Sequence, residues 1–173
     1  MIKIPSVMAQ MTRLRLLFAL CGIIALAQAR SCEKAVNDCP KGWTQLDNYC
    51  YVYHHDPRTF SDAESVCNVL GGNLVSINSL KEHALVVELI REGAGSVVDT
   101  WIGIHDAVEE DDFLWTDGEV VNFRNFGVNQ PDNDGGDEDC VKIEGDDSLW
   151  DDDECIDANP FVCIRAVEKK DCH

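Results

Sequence analysis

The sequence runs to 173 residues, with 32 acidic side chains against 14 Lys and Arg, a formal net charge of -18, and nine cysteines. A surface this acidic repels phosphate backbones and anionic lipid, so it excludes nucleic acid and membrane insertion and favours cations. The first 29 residues read as a cleavable secretory signal: Arg13 and Arg15, an apolar run from Leu16 to Leu26, then the small-x-small exit Ala27-Gln28-Ala29. About 144 residues remain, one domain's worth. Cys21 leaves with the signal, and the eight other cysteines imply an extracellular disulfide framework. Cysteine count alone leaves roughly a hundred pairings open.

After a lead-in at 30–38, Cys39-Pro40-Lys41-Gly42-Trp43 starts a domain expected to span 39–167, ahead of a tail at 168–173. Aromatic and β-branched residues predict a strand over Tyr49–Tyr53, broken by Asp56-Pro57. Ala63, Val66, Cys67 and Leu70 recur at helical spacing within a predicted helix over Thr59–Leu70. Its start is capped either by Thr59 with Asp62 or by Ser61 with Glu64, and Gly71-Gly72 stops it. Asn73–Ile77 alternates as a short strand. Ser79 and Glu82 form a capping-box signature for a second helix over Ser79–Ile90, with Leu85, Val86 and Leu89 facing inward and His83 at the surface or half-buried. Short strands follow at Thr100–Ile104, Phe113–Trp115, Cys140–Ile143, from Leu149, and Phe161–Ile164. Helices ahead of a largely antiparallel sheet define an α+β class.

The chemistry concentrates between Gln130 and Asp157. From Asp99 to Asp157 there are 21 acidic residues against Arg124 and Lys142. Irregular, Gly-containing loops this rich in carboxylates need a screening ion, and a hard cation with oxygen ligands, calcium above all, suits them. The five histidines share no metal-ligand spacing, and there is no Cys-x-x-Cys pair for zinc. No Ser-His-Asp or Cys-His arrangement is visible, so an enzyme is not expected. No Asn-x-Ser/Thr sequon is present.

Trp43, Cys50, Cys67, Trp101-Ile102-Gly103, Trp115, Gln130-Pro131-Asp132, Glu138-Asp139-Cys140, Trp150-Asp151-Asp152, Cys155 and Phe161-Val162-Cys163 together form a specific set. From Cys39 to about Ile164 the chain resembles the C-type lectin-like domain family, and within it the small secreted lectins of fish and the related type II antifreeze proteins. The resemblance implies disulfides Cys39–Cys50, Cys67–Cys163 and Cys140–Cys155. Cys32 and Cys172 are then left to tie the termini together or to bridge chains in a homo-oligomer. It implies a calcium site from Gln130, Asp132, Glu138, Asp151 and Asp152, with Pro131 cis between the first two. The same residues would hold sugar hydroxyls. A second calcium site would use Asp106, Glu110, Asn133, Glu138 and Asp139.

Two departures stand out. Asp151 occupies a position where the family usually has Asn, which removes an amide donor toward sugar. Gln130-Pro131-Asp132 resembles the galactose-type triplet, yet no aromatic follows it to stack on the sugar ring. The resemblance implies a secreted, calcium-dependent, galactose-type lectin that recognises microbial glycans in innate immunity. The alternative is a lectin-like antifreeze protein, or another protein- or mineral-binding role without sugar.

Overall fold

The computed structural model describes residues 39–168. The signal segment, the lead-in at 30–38, most of the tail, and Cys32 and Cys172 lie outside the described residues. The chain runs β1 (Thr44–Leu46), β2 (Tyr49–Arg58), α1 (Phe60–Val69), β3 (Asn73–Leu74), α2 (Leu80–Ala94), β4 (Thr100–His105), β5 (Leu114–Trp115), β6 (Cys140–Ile143), β7 (Trp150–Asp153) and β8 (Asn159–Ala166). This is the expected α+β arrangement of two helices on a sheet. The sheet order is β1-β2-β8-β4-β6-β7, with β3 on β8 and β5 on β4. Its pairs are antiparallel except β4 with β8, which run parallel where Trp101 meets Phe161.

β1 is too short to show a period in sequence. It forms because Gln45 pairs with Cys50 across a tight hairpin, and the Cys39–Cys50 disulfide closes the same end. β2 runs past the predicted stop at Asp56-Pro57. Pro57 has no N–H to give the ladder, and the register with β8 shifts between His54 and Arg58, so the strand passes it on an irregularity. The predicted strand over Asn73–Ile77 pairs regularly only at its first two residues. Beyond them, the Val75 amide donates to the Val162 carbonyl at 2.8 Å and its carbonyl accepts from the Gly103 amide at 2.9 Å, so Val75 bridges two strands.

Of the two possible caps for α1, Thr59 is the one used: its hydroxyl accepts from the Asp62 amide at 3.3 Å. The helix ends against β8. A Cβ on Gly72 would lie 2.0 Å from the Ile164 carbonyl oxygen, so only glycine allows that approach. In α2, Ser79 Oγ accepts from the Glu82 amide at 3.3 Å. The Glu82 carboxylate reaches one residue further back than in a capping box, to the Asn78 amide at 2.5 Å. The helix continues four residues beyond Ile90 and stops at Gly95 in the left-handed conformation.

The inward face of α2 differs from the expected one. His83, Val86, Val87 and Ile90 are buried, while Leu85 and Leu89 pack only partly buried against the core. That core surrounds Trp150, which is fully buried and meets Trp115, Phe123 and Phe126 edge-on at 5.6–5.8 Å between ring centroids. A smaller cluster under α1 holds Phe60, Ala63, Leu74, Trp101 and Phe161. The Cys67–Cys163 disulfide bolts α1 to β8 there. Trp101, Trp115 and Trp150 are core residues, as expected, and Trp43 is half-buried under the Arg165 guanidinium.

His83 is a correction to the sequence expectation. It is buried because its ring serves the core: Nδ1 lies 3.3 Å from the Trp150 indole N–H, and Nε2 lies 3.2 Å from the Asn125 amide. An indole only donates, so Nδ1 must accept and the ring must stay neutral on that side. Burial pushes the His83 pKa down, against a hydrogen bond to the Ser148 backbone that raises it. The depressed folded pKa means that its contribution is intact above the unfolded value of about 6.5 and is lost as pH falls below it. Replacing His83 with Gln should therefore reduce the loss of stability between about pH 7.5 and 5.5, measured as the shift in urea midpoint at the two pH values.

Candidate functional site

The site is built from β7 and the long connection between β5 and β6. Sheet alternation decides what β7 presents: Trp150 and Asp152 are buried, while Asp151 and Asp153 lie half-buried on the opposite face. The connection is laced to the start of β7. The Trp150 amide donates to the Asn125 carbonyl at 2.9 Å, and the Gly127 amide donates to the Trp150 carbonyl at 2.8 Å. The chain then passes the cis Gln130–Pro131 peptide, the geometry the resemblance implied. Beyond it, Asp134–Gly136 makes a single 3₁₀ turn.

Asp152 organises this loop. It is 3 % exposed, and its two oxygens accept from the Asp132 amide at 3.0 Å and the Asn133 amide at 2.8 Å. Glu138 closes the far side. Its carboxylate accepts from the Asp134 amide at 2.6 Å, and its own amide donates to Asn133 Oδ1 at 3.2 Å. Carboxylate oxygens of Asp132, Glu138 and Asp152 thereby lie within 4.8 Å of one another, a group of a size that suits a divalent cation. Gln130 Oε1 is buried without a hydrogen-bond donor. Burial and the charges of Asp152, Asp132 and Asp153 push the Glu138 pKa up, against the Asp134 amide that lowers it. The donors are all oxygen, and the lone Gln130 oxygen has nothing else to bind, so the set fits a hard cation such as calcium.

Asp151 is placed differently. It stands opposite Lys142 in the β6–β7 ladder, with a carboxylate oxygen 3.5 Å from Lys142 Nζ. Lys142 also meets Asp153 at 2.8 Å and Asp99 at 3.5 Å. Burial alone would lower the Lys142 pKa, but Asp153, Asp99 and Asp151 outweigh it and raise it. This four-residue network is absent from the sequence expectation. The cysteine spacing alone could not have given it: Cys140 stands opposite Asp153 rather than Cys155, and that register puts Lys142 across from Asp151.

The second expected set comes together in part. Asn133 Nδ2 donates to Glu110 at 2.6 Å. Asp106 is buried, accepts from the Asp111 amide at 2.9 Å, and has a second oxygen without a partner. The Asp106 amide donates to the Asp139 carbonyl at 3.1 Å. Burial and the nearby Asp139 and Asp152 charges push the Asp106 carboxyl up, against backbone hydrogen bonds that lower it. Among the described residues, Asp132, Glu138 and Asp152 are the only acidic group close enough to share an ion.

An α+β fold whose long, disulfide-braced loops carry an acidic cluster that could hold a divalent cation is that of a lectin-type recognition module rather than a catalyst. The profile of the Lectin C-type domain matches residues 56–165, and the chain belongs to that family. The galactose-specific lectin nattectin of Thalassophryne nattereri is 32 % identical over 133 residues, covering 77 % of this chain and 84 % of its own length. The α-N-acetylgalactosamine-specific lectin of Patiria pectinifera is 34 % identical over 159 residues, covering 84 % and 94 %. The crystal structure of a calcium-independent type II antifreeze protein superposes with a TM-score of 0.69 at 29 % identity, covering 76 % of this chain and 96 % of its own. The protein is thus related both to sugar-binding lectins and to antifreeze proteins that work without calcium. The disulfides Cys39–Cys50, Cys67–Cys163 and Cys140–Cys155 are those the resemblance implied. Among the described residues, no helix is long and apolar enough to cross a membrane.

Asp152 supports the loop even without an ion. Asp152→Ala leaves two backbone donors unsatisfied and should cost about 1–3 kcal/mol. Asp152→Asn keeps one acceptor and should cost less. Both are read from chemical denaturation in the presence of a calcium chelator.

Proposed function

We propose that the protein is a secreted, calcium-dependent, galactose-type carbohydrate-binding lectin that recognises glycans on microbial surfaces in innate defence. The convergence of Asp132, Glu138 and Asp152 carboxylates within 4.8 Å carries this reading, supported by a buried, partnerless Gln130 oxygen two residues from Asp132. Gln130, Asp132, Glu138 and Asp152 would hold calcium, and Asp151, expected as a fifth ligand, stands across the ladder from Lys142. The ion would supply a coordination point for vicinal sugar hydroxyls, and the carboxylates around it would accept hydrogen bonds from the same hydroxyls. Names of two relatives specify galactose or N-acetylgalactosamine, which supports the galactose preference of the Gln130-Pro131-Asp132 triplet. Secretion follows from the signal pattern at 1–29 and suits three disulfides. A single shallow site of this kind binds weakly, so useful avidity calls for several copies, through surface contacts or through Cys32 and Cys172. Asp106, Glu110, Asn133, Glu138 and Asp139 form the second calcium site in this reading.

A non-sugar role is the second reading, favoured by the likeness to a calcium-independent antifreeze protein and by the absence of an aromatic after the triplet. The acidic loops argue against ice, whose binding faces are flat and weakly charged, and leave a protein or a calcium mineral as the target.

The mature protein should be retained on immobilised galactose with calcium, released by a chelator, and not retained on mannose. Asp132→Ala should abolish retention while leaving the thermal midpoint in chelator little changed. Retention on mannose instead would overturn the sugar assignment. No retention on either sugar, with calcium binding intact, would favour the second reading.

A further inference from the structure

The acidic face around the site is opposed by very few cations, and their placement is informative. Between Asp99 and Asp157 the only basic side chains are Arg124 and Lys142. Arg124 is engaged elsewhere, with its guanidinium 5.0 Å over the Phe113 ring. Lys142 alone reaches into the carboxylates, and its side chain is 13 % exposed. Its position is fixed from several sides. Asp99, on the chain entering β4, is itself pinned by the Gly145 amide at 2.9 Å. Asp153 is pinned by the Glu154 amide at 3.1 Å. The ladder sets Lys142 directly across from Asp151. Strand alternation then puts Lys142, Asp151 and Asp153 on one face and Asp152 on the other.

A charge so held acts as an internal counter-cation. We propose that Lys142 is a positioning residue that pairs with Asp151 across the ladder and neutralises its charge on the face of β7 opposite Asp152, so that the lysine lowers the calcium site's affinity for the ion. The inference rests on the calcium reading above and adds a residue to it. Attraction between Lys142 and Asp151 in this half-buried setting cancels part of the negative field that Asp151 would otherwise add at the ion. It also tempers the excess negative charge that Asp132, Glu138, Asp151 and Asp152 would otherwise present to a single dication. The Asp at position 151 then makes physical sense: a carboxylate can pair with the lysine across the ladder, whereas the usual Asn offers it only a neutral oxygen.

The test is a double-mutant cycle read by calcium calorimetry on the full mature chain, with circular dichroism as the check on folding. Lys142→Met frees Asp151 and should tighten calcium binding about five-fold, and the same substitution in an Asp151→Asn background should tighten it less than about two-fold, the non-additivity expected of residues in contact. Should Lys142→Met not fold, Lys142→Gln takes its place in the same cycle. Lys142 variants that bind calcium no more tightly than the wild type, or that gain equally in both backgrounds, overturn the proposal while leaving the calcium reading in place. If the wild type binds no calcium and Lys142→Met does, the calcium-dependent function falls and the role of Lys142 stands. If neither binds calcium, both fall.

Discussion

Mutual repulsion among Asp132, Glu138 and Asp152 is the constraint around which this molecule is arranged. Three carboxylates within 4.8 Å of one another do not gather unaided. They are brought together by backbone amides. Asp152 accepts from Asp132 and Asn133, and Glu138 accepts from Asp134. Each of these bonds stabilises a charged acceptor, and such bonds are stronger than neutral ones. The loop is therefore held by contacts to the same groups that would hold the ion. The cation site and the loop conformation are one structure.

That loop needs an anchor that does not depend on the ion, and Trp150 provides it. Its backbone clamps Asn125 and Gly127, its ring fills the centre of the larger core, and its indole N–H is received by His83. The next two residues are Asp151 and Asp152. A fully buried side chain thus sets the position of the charged residues immediately beside it. The Cys140–Cys155 disulfide braces the same strand pair from the other end. Function here is placed on a sheet edge and a loop, and precision comes from the core behind them.

Charge balance is met in two ways on the two faces of β7. Toward the loop, Asp152 is satisfied by amides, and Asp132 and Glu138 lie within 4.8 Å of it. Toward the other face, Asp151 and Asp153 already have one in Lys142. The same strand therefore separates a set of oxygens that suits an exchangeable ion from a set served by a covalently attached one.

The sequence by itself determined the class of the fold, the start of α2, the three disulfides through a resemblance, and the loop where acids collect. Those features rest on local signals: Ser79 followed by Glu82, the periodicity around Ala63 and Cys67, and the Gln130-Pro131-Asp132 triplet. It placed His83 too near the surface and missed Val87 and Ile90 on the inward face of α2, because a helix period shows that one stripe is buried but the centre of the stripe depends on what packs there. It could not see that Val75 bridges two strands, since those hydrogen bonds come from Val162 and Gly103. Nor could it divide the acids into those facing the loop and those facing Lys142. Tertiary structure decided that, because strand alternation sends neighbouring aspartates to opposite faces and only the pairing of β6 with β7 determines which face carries the lysine.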